Sequence, residues 1–190
     1  MRAGKVLLAL CVFVNIAFAS DKPQIGEQAP TFFLRTVDGE TFFLSKQVGA
    51  QATPANKSPL VFSFFATWCI PCKAEIPVLH QLQEEFSKVK FYLVNVEEKP
   101  ELVKKYVAAN DINLPILMDV YSVVAKKYGI VNTDNVAVLP QLVLIDSGGK
   151  LVYMHEGYQA GDEKDLREHL NKIINEATID TTASPDLSGN

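Results

Sequence analysis

Residues 60–77, LVFSFFATWCIPCKAEIP, restrict the fold of this chain more than any other stretch. The run LVFSFFA is apolar almost without alternation, the pattern of a strand buried on both faces. Two residues later comes a cysteine pair, and from Pro71 the apolar spacing turns helical. Ile76, Leu79, Leu82 and Phe86 recur every three or four residues, which predicts a helix to about Lys88. Pro71 sits near the helix start, where its missing N–H is harmless; Pro77 lies inside and is expected to kink it. Cys69 and Cys72 therefore fall where a buried strand ends and a helix begins.

The flanking sequence supplies the rest of an α/β domain. PTFFLRTVDGETFFL places two aromatic-rich runs around Asp38-Gly39, a tight-hairpin signal, and 46–59 reads as a surface loop. FYLVNV (91–96) is a second buried strand. PELVKKYVAAN and VYSVVAKKYG read as helices separated by INLPILMD. QLVLID (141–146) and KLVYMHEG (150–157) form a hairpin across Ser147-Gly148-Gly149. The last helix begins near Asp162, read as its N-cap, and carries Leu166, Leu170, Ile173 and Ile174 on one face. A strand–helix–strand crossover followed by a strand pair and a helix implies a mixed central sheet flanked by helices. There is no internal repeat.

The first residues are a separate object. Arg2 and Lys5 precede an apolar run from Val6 to Phe18 that ends in Ala17-Phe18-Ala19. Such a run is shorter than the ~20 residues that span a bilayer, and it reads as a secretory signal cleaved after Ala19 rather than a retained anchor. Cys11 follows Leu10, a poor fit to lipoprotein processing. The expected organisation is a signal at 1–19, one domain at 20–176 and a flexible tail at 177–190. The formal charge of −4 becomes −6 without the signal, so nothing basic invites nucleic acid or an anionic membrane. An exported chain meets an oxidising compartment, where Cys69 and Cys72 can persist as a disulfide.

Three roles are open to the pair. A structural staple closing so short a loop contributes only about 2 kcal/mol, which a chain with this much apolar pattern scarcely needs. A zinc site needs about four ligands, and His80, His155 and His169 form no cluster in the sequence. A redox dithiol fits the placement. Cys69 meets the positive end of the helix, which favours its thiolate, and Cys72 sits one turn inward to resolve a mixed disulfide. C-x-x-C beside a strand–helix–strand pattern is the expected signature. Glu75, three residues beyond Cys72, is either an ordinary solvated helix carboxylate or a partly buried acid that exchanges protons with Cys72. Lys73 reads as simply exposed.

The segment FATWCIPCKAEIP resembles the active-site stretch of exported thioredoxin-like proteins of the TlpA/ResA/CcmG group, W-C-x-P-C-x-x-E-x-P, at Trp68, Cys69, Pro71, Cys72, Glu75 and Pro77. IGEQAPTFFLRTVDGETFFLSK resembles that group's N-terminal hairpin, and EEKPELVKKYVAANDINLPILMD its helix-containing insert. VLPQLVLID resembles the loop that carries the family's cis-proline. The resemblance implies a thioredoxin-like fold with catalytic Cys69, Cys72 and Glu75. It also implies a substrate-binding surface of Trp68, Ile70, Pro71, Leu139 and Pro140, with the Leu139 backbone offered to an extended peptide. Ser63 stands where ordinary thioredoxin keeps a buried acid, which makes Glu75 its substitute. Gln141, after Pro140, departs from the family's usual Thr.

What the resemblance implies about function is an exported thiol-disulfide oxidoreductase, a monomer with no cofactor beyond the Cys69–Cys72 disulfide. It would reduce protein disulfides, apocytochrome c among them, and draw electrons from a membrane-bound donor in the periplasm of a Gram-negative bacterium. The uncharged Ile70-Pro71 dipeptide disfavours a strong oxidant. Two alternatives are a peroxiredoxin and a copper metallochaperone. The first would need Pro and Thr where Phe62 and Ala66 stand; the second resembles this chain but spaces its cysteines by three residues and adds a distal histidine, for which His155 is the candidate.

Overall fold

A computed structural model describes residues 22–182, with side chains to residue 176. The leader read at 1–19 lies outside the described residues, as do the last residues of the tail, 183–190. Among the described residues no helix is long and apolar enough to cross a membrane.

The predicted hairpin is β1 (Phe33–Thr36) and β2 (Thr41–Phe43), paired antiparallel. Its turn uses Gly39 at φ 97°, a left-handed conformation that favours glycine. The apolar run becomes β3 (Leu60–Phe65), followed by α1 (Ile70–Glu85) and β4 (Lys90–Val96). Pro77 is accommodated within α1, which runs on past it. The segment read as an insert holds α2 (Pro100–Ala109) and a strand the sequence reading missed, β5 (Ile116–Asp119). It escaped because four residues after a proline carry too little periodicity to separate strand from loop. The helix expected next shrinks to five residues, α3 (Val123–Lys127), because Ser122 before it takes left-handed backbone at φ 54°. β6 (Gln141–Ile145) and β7 (Leu151–Glu156) form the second hairpin, and α4 (Glu163–Thr182) closes the fold. α4 runs six residues beyond the boundary expected at 176.

The seven strands form one mixed sheet in the order β2-β1-β5-β4-β3-β6-β7. β3, β4 and β5 are parallel, and the outer pairings are antiparallel. The missed β5 is thus the strand that joins the N-terminal hairpin to the rest. Alternation along β3 splits the core in two. Val61 and Phe65 pack with Leu79, Leu82, Leu166 and Leu170 under α1 and α4. Leu60, Phe62 and Phe64 face the other way, against Phe32, Phe42 and Tyr128. On that second face Phe32 meets Phe62 edge-on at 5.5 Å, and the Tyr128 hydroxyl donates to the Pro30 carbonyl at 3.0 Å. Both faces of β3 are therefore buried, which fixes where its last residue releases the chain.

Candidate active site

Past Phe65 the chain crosses Ala66 and Thr67, and Cys69 becomes the N-cap of α1 with extended backbone, φ −74° and ψ 110°. The Cys72 N–H donates to Cys69 Sγ at 3.2 Å, so a first-turn donor that lacks a helical partner points at this sulfur. Together with the helix dipole, that contact favours a thiolate at Cys69 when the disulfide opens. The two cysteines are joined in a disulfide with their Cα atoms 5.3 Å apart. Cys69 retains 4% exposure and Cys72 none, so an incoming sulfur can approach only the first. Trp68 and Ile70, at 67% and 78% exposure, stand on either side of it in sequence, and Pro71 is exposed too. Large apolar side chains left in water beside a nearly hidden sulfur form a contact surface.

Leu139–Pro140 is a cis peptide. Because β6 starts at Gln141 opposite Phe64, this peptide lies at the same end of the sheet as Cys69. Among the described residues the Leu139 backbone makes no hydrogen bond, which leaves it open to an added extended segment. The Pro140 carbonyl is occupied by the Gly157 N–H at 2.8 Å. Gln141 is buried, and its Oε1 has no partner.

Glu75 proves to be a buried acid rather than a solvated one. It is 3% exposed, one turn along α1 from Cys72. The Ser63 hydroxyl donates to its Oε2 at 2.5 Å across the helix–sheet interface. Removal from water raises its pKa from the ordinary 4.5 to about 7; the Ser63 bond opposes that rise and the charge of Asp162 adds to it. A carboxyl poised near neutrality one turn from a buried thiol can take and return a proton.

The sequence reading passed over one residue. Glu98, after β4, is buried and receives the Thr67 N–H at 2.7 Å, the Thr67 hydroxyl at 2.5 Å and Asn95 Nδ2 at 2.6 Å. It anchors the turn two residues before Cys69. The available signal was position: in parallel sheets functional groups gather beyond the carboxyl ends of strands, and Asn95 and Glu98 stand there beside the end of β3. Other expectations resolve individually. Lys73 is exposed, 5.9 Å over the Tyr106 ring. Asp162 does not cap α4; its carboxylate turns back to the Gln159 N–H at 2.6 Å and to His155 Nε2 at 3.1 Å. Phe62 and Ala66 are buried apolar side chains. Among the described residues no three His, Cys, Asp or Glu side chains are grouped to hold a metal.

Comparison with known proteins agrees with this arrangement. Residues 25–154 match the AhpC/TSA family. The thiol-disulfide oxidoreductase ResA of Bacillus thuringiensis subsp. konkukian is 27% identical over 176 residues, covering 88% of this chain and 92% of the relative. The thioredoxin-like protein YneN of Bacillus subtilis is 30% identical over 152 residues, covering 78% and 81%. A solved thiol:disulfide interchange protein of the thioredoxin family from Chlorobium tepidum superposes with a TM-score of 0.62. It is 24% identical, with 78% of this chain and 96% of that one covered, and it supports the fold.

Two stability outcomes follow from these contacts. Glu98→Ala leaves the Thr67 N–H and Asn95 Nδ2 without their acceptor, and urea denaturation should show a loss on the order of 2–3 kcal/mol. Glu75, with its folded pKa raised from 4.5 to about 7, holds a proton that the unfolded chain releases in that window. Its contribution is therefore full below about pH 4.5 and declines as pH rises through about 7, by roughly 3 kcal/mol in all. In Glu75→Gln that part of the slope should disappear; an unchanged slope would mean that Glu75 ionises normally.

Proposed function

The chain belongs to the AhpC/TSA family and, within it, to the ResA-like thiol-disulfide oxidoreductases, and we propose that it works as an exported reductant of protein disulfides. The carrying observation is the Cys72 N–H aimed at Cys69 Sγ, with only Cys69 reachable from outside. In the reduced protein the Cys69 thiolate attacks one sulfur of a substrate disulfide, forming a mixed disulfide and expelling the other sulfur as thiolate. The Cys72 thiol passes its proton to the Glu75 carboxylate and attacks Cys69 Sγ. That step expels the second substrate thiolate and restores the Cys69–Cys72 disulfide. Two electrons have moved from the dithiol to the substrate.

Trp68, Ile70 and Pro71 supply an apolar contact for the substrate, and the open Leu139 backbone beside Pro140 takes an extended segment by main-chain hydrogen bonds. Recognition through the backbone tolerates varied side chains, which suits a reductant of several partners. Resemblance to the TlpA/ResA/CcmG group supports apocytochrome c as one such partner, and a periplasmic location with a membrane-bound electron donor. The uncharged Ile70-Pro71 pair supports the reducing direction, since nothing there over-stabilises the thiolate.

The equilibrium potential of the Cys69/Cys72 couple against dithiothreitol tests the direction. A value near or below about −270 mV is expected, and one near −120 mV would identify an oxidant instead. Cys69→Ser should abolish turnover. Cys72→Ser, exposed to a disulfide-bonded C-x-x-C-H peptide, should accumulate a mixed disulfide at Cys69. Failure to trap that peptide, with other disulfide peptides still trapped, removes apocytochrome c from the substrates.

A further inference from the structure

Ser63 is the one polar residue in the strand that leads to the cysteines, LVFSFF. It is fully buried, with Leu93 of β4 and Leu142 of β6 as its register partners. The sheet ladders on both sides use backbone groups, so the hydroxyl is an additional polar group in an apolar layer. Burying a hydroxyl costs free energy unless it is hydrogen-bonded. Here the bond goes to Oε2 of Glu75 at 2.5 Å, across the interface between β3 and α1. An alanine would sit in the layer without that requirement. Packing does not call for the hydroxyl; the carboxyl it meets does.

The surroundings of Glu75 give this contact no rival. Leu142 from β6 is apolar, and Cys72 on the preceding turn of α1 is tied in the disulfide. Tyr153 and His155 from β7, Tyr158 and Asp162 from the loop after it, and Glu163 from α4 border the same region. Asp162 is turned to His155 and the Gln159 N–H, and Glu163 to the Gly161 N–H. Among the described residues no cation pairs with Glu75, and Ser63 alone is hydrogen-bonded to its carboxyl. Of the two carboxyl oxygens, Oε2 is therefore held and Oε1 accepts no hydrogen bond.

A hydroxyl can keep hold of a carboxyl through a change of protonation. With Glu75 ionised, the Ser63 O–H gives Oε2 a charge-assisted hydrogen bond. When a proton settles on Oε1, Oε2 becomes the carbonyl oxygen of the acid and still accepts the same O–H, more weakly. The carboxyl thus changes charge without turning, and the stronger bond belongs to the ionised state. We propose that Ser63 is the positioning residue of the proton relay: its hydroxyl fixes Oε2, leaves Oε1 to carry the moving proton, and keeps Glu75 able to act as a base toward Cys72. Burial and the charge of Asp162 both hold the proton on Glu75, and the Ser63 bond is what opposes them. Without it the carboxyl would stay protonated through neutral pH and could not accept the proton of the Cys72 thiol. The consequence for Cys72 rests on the relay given to Glu75 above; the hold on Oε2 does not.

The test is a titration of the Glu75 carboxyl by ¹³C NMR in the full-length oxidised protein, its Ser63→Ala variant and its Ser63→Thr variant. Ser63→Ala removes a donor that favours the charged form, so the Glu75 midpoint should rise by about 1 pH unit or more. Ser63→Thr, which keeps a hydroxyl, should reverse most of that rise. Loss of stability in Ser63→Ala with an unmoved midpoint is the outcome of a merely structural hydroxyl, and it overturns the proposal. The rate at which the reduced protein reduces a disulfide-bonded peptide, followed by Trp68 fluorescence, should shift its pH profile upward in Ser63→Ala and back in Ser63→Thr. If the midpoint rises and the rate profile stays, the relay at Glu75 is wrong and the proposal falls with it, although the hold on Oε2 stands. If Glu75→Gln removes an inflection that Ser63→Ala leaves in place, the relay stands and the role given to Ser63 is wrong.

Discussion

The chemistry of this protein depends on the few residues by which β3 hands the chain to α1. A strand buried on both faces has no freedom in where it ends, and the helix that follows it begins with unpaired N–H groups. Cys69 stands at that junction as the N-cap, so its sulfur receives the Cys72 N–H that a serine or aspartate would ordinarily receive. One contact thus does two things: it completes the helix and it favours negative charge on the sulfur. Cys72, a turn deeper, inherits full burial from the same geometry. The asymmetry between attacking and resolving sulfurs needs no further apparatus.

Around that junction the fold places two buried acids with different tasks. Glu98 has both oxygens occupied and pins Thr67, so the turn cannot swing away from the sheet. Glu75 accepts from Ser63 and is otherwise deprived of water, so it holds its proton more tightly than an ordinary carboxyl and releases it only near neutrality. Satisfied by several donors a buried carboxylate is a fastener; satisfied by one it becomes an acid near neutrality.

Much of this was legible in the residues. The unbroken apolar run, the helical spacing after Pro71 and the C-x-x-C between them located the thiol chemistry, and the family resemblance added Pro140 and pointed to Glu75 as the substitute for thioredoxin's buried acid. What escaped had physical reasons. β5 is four residues long, too short to display a period, and it depends on pairing with β4 and β1. The helix expected around Val123 is cut short by the left-handed Ser122, whose conformation is set by its surroundings. Asp162 carried every local sign of an N-cap and turned instead to Gln159 and His155, because hydrogen-bond choice at a helix start is settled by neighbours that composition does not reveal.

The sequence by itself determined most of the order of elements and the position of the dithiol at a helix N-terminus, since both follow from periodicity and spacing along the chain. Tertiary structure alone decided that Glu75 is buried, that Ser63 is its donor, that Glu98 braces the turn and that Asp162 holds His155 and Gln159. Each of these joins residues on different strands, helices or loops. A carboxylate's proton affinity reports how much water and which charges the folded chain leaves around it, and those are quantities that a linear pattern does not contain.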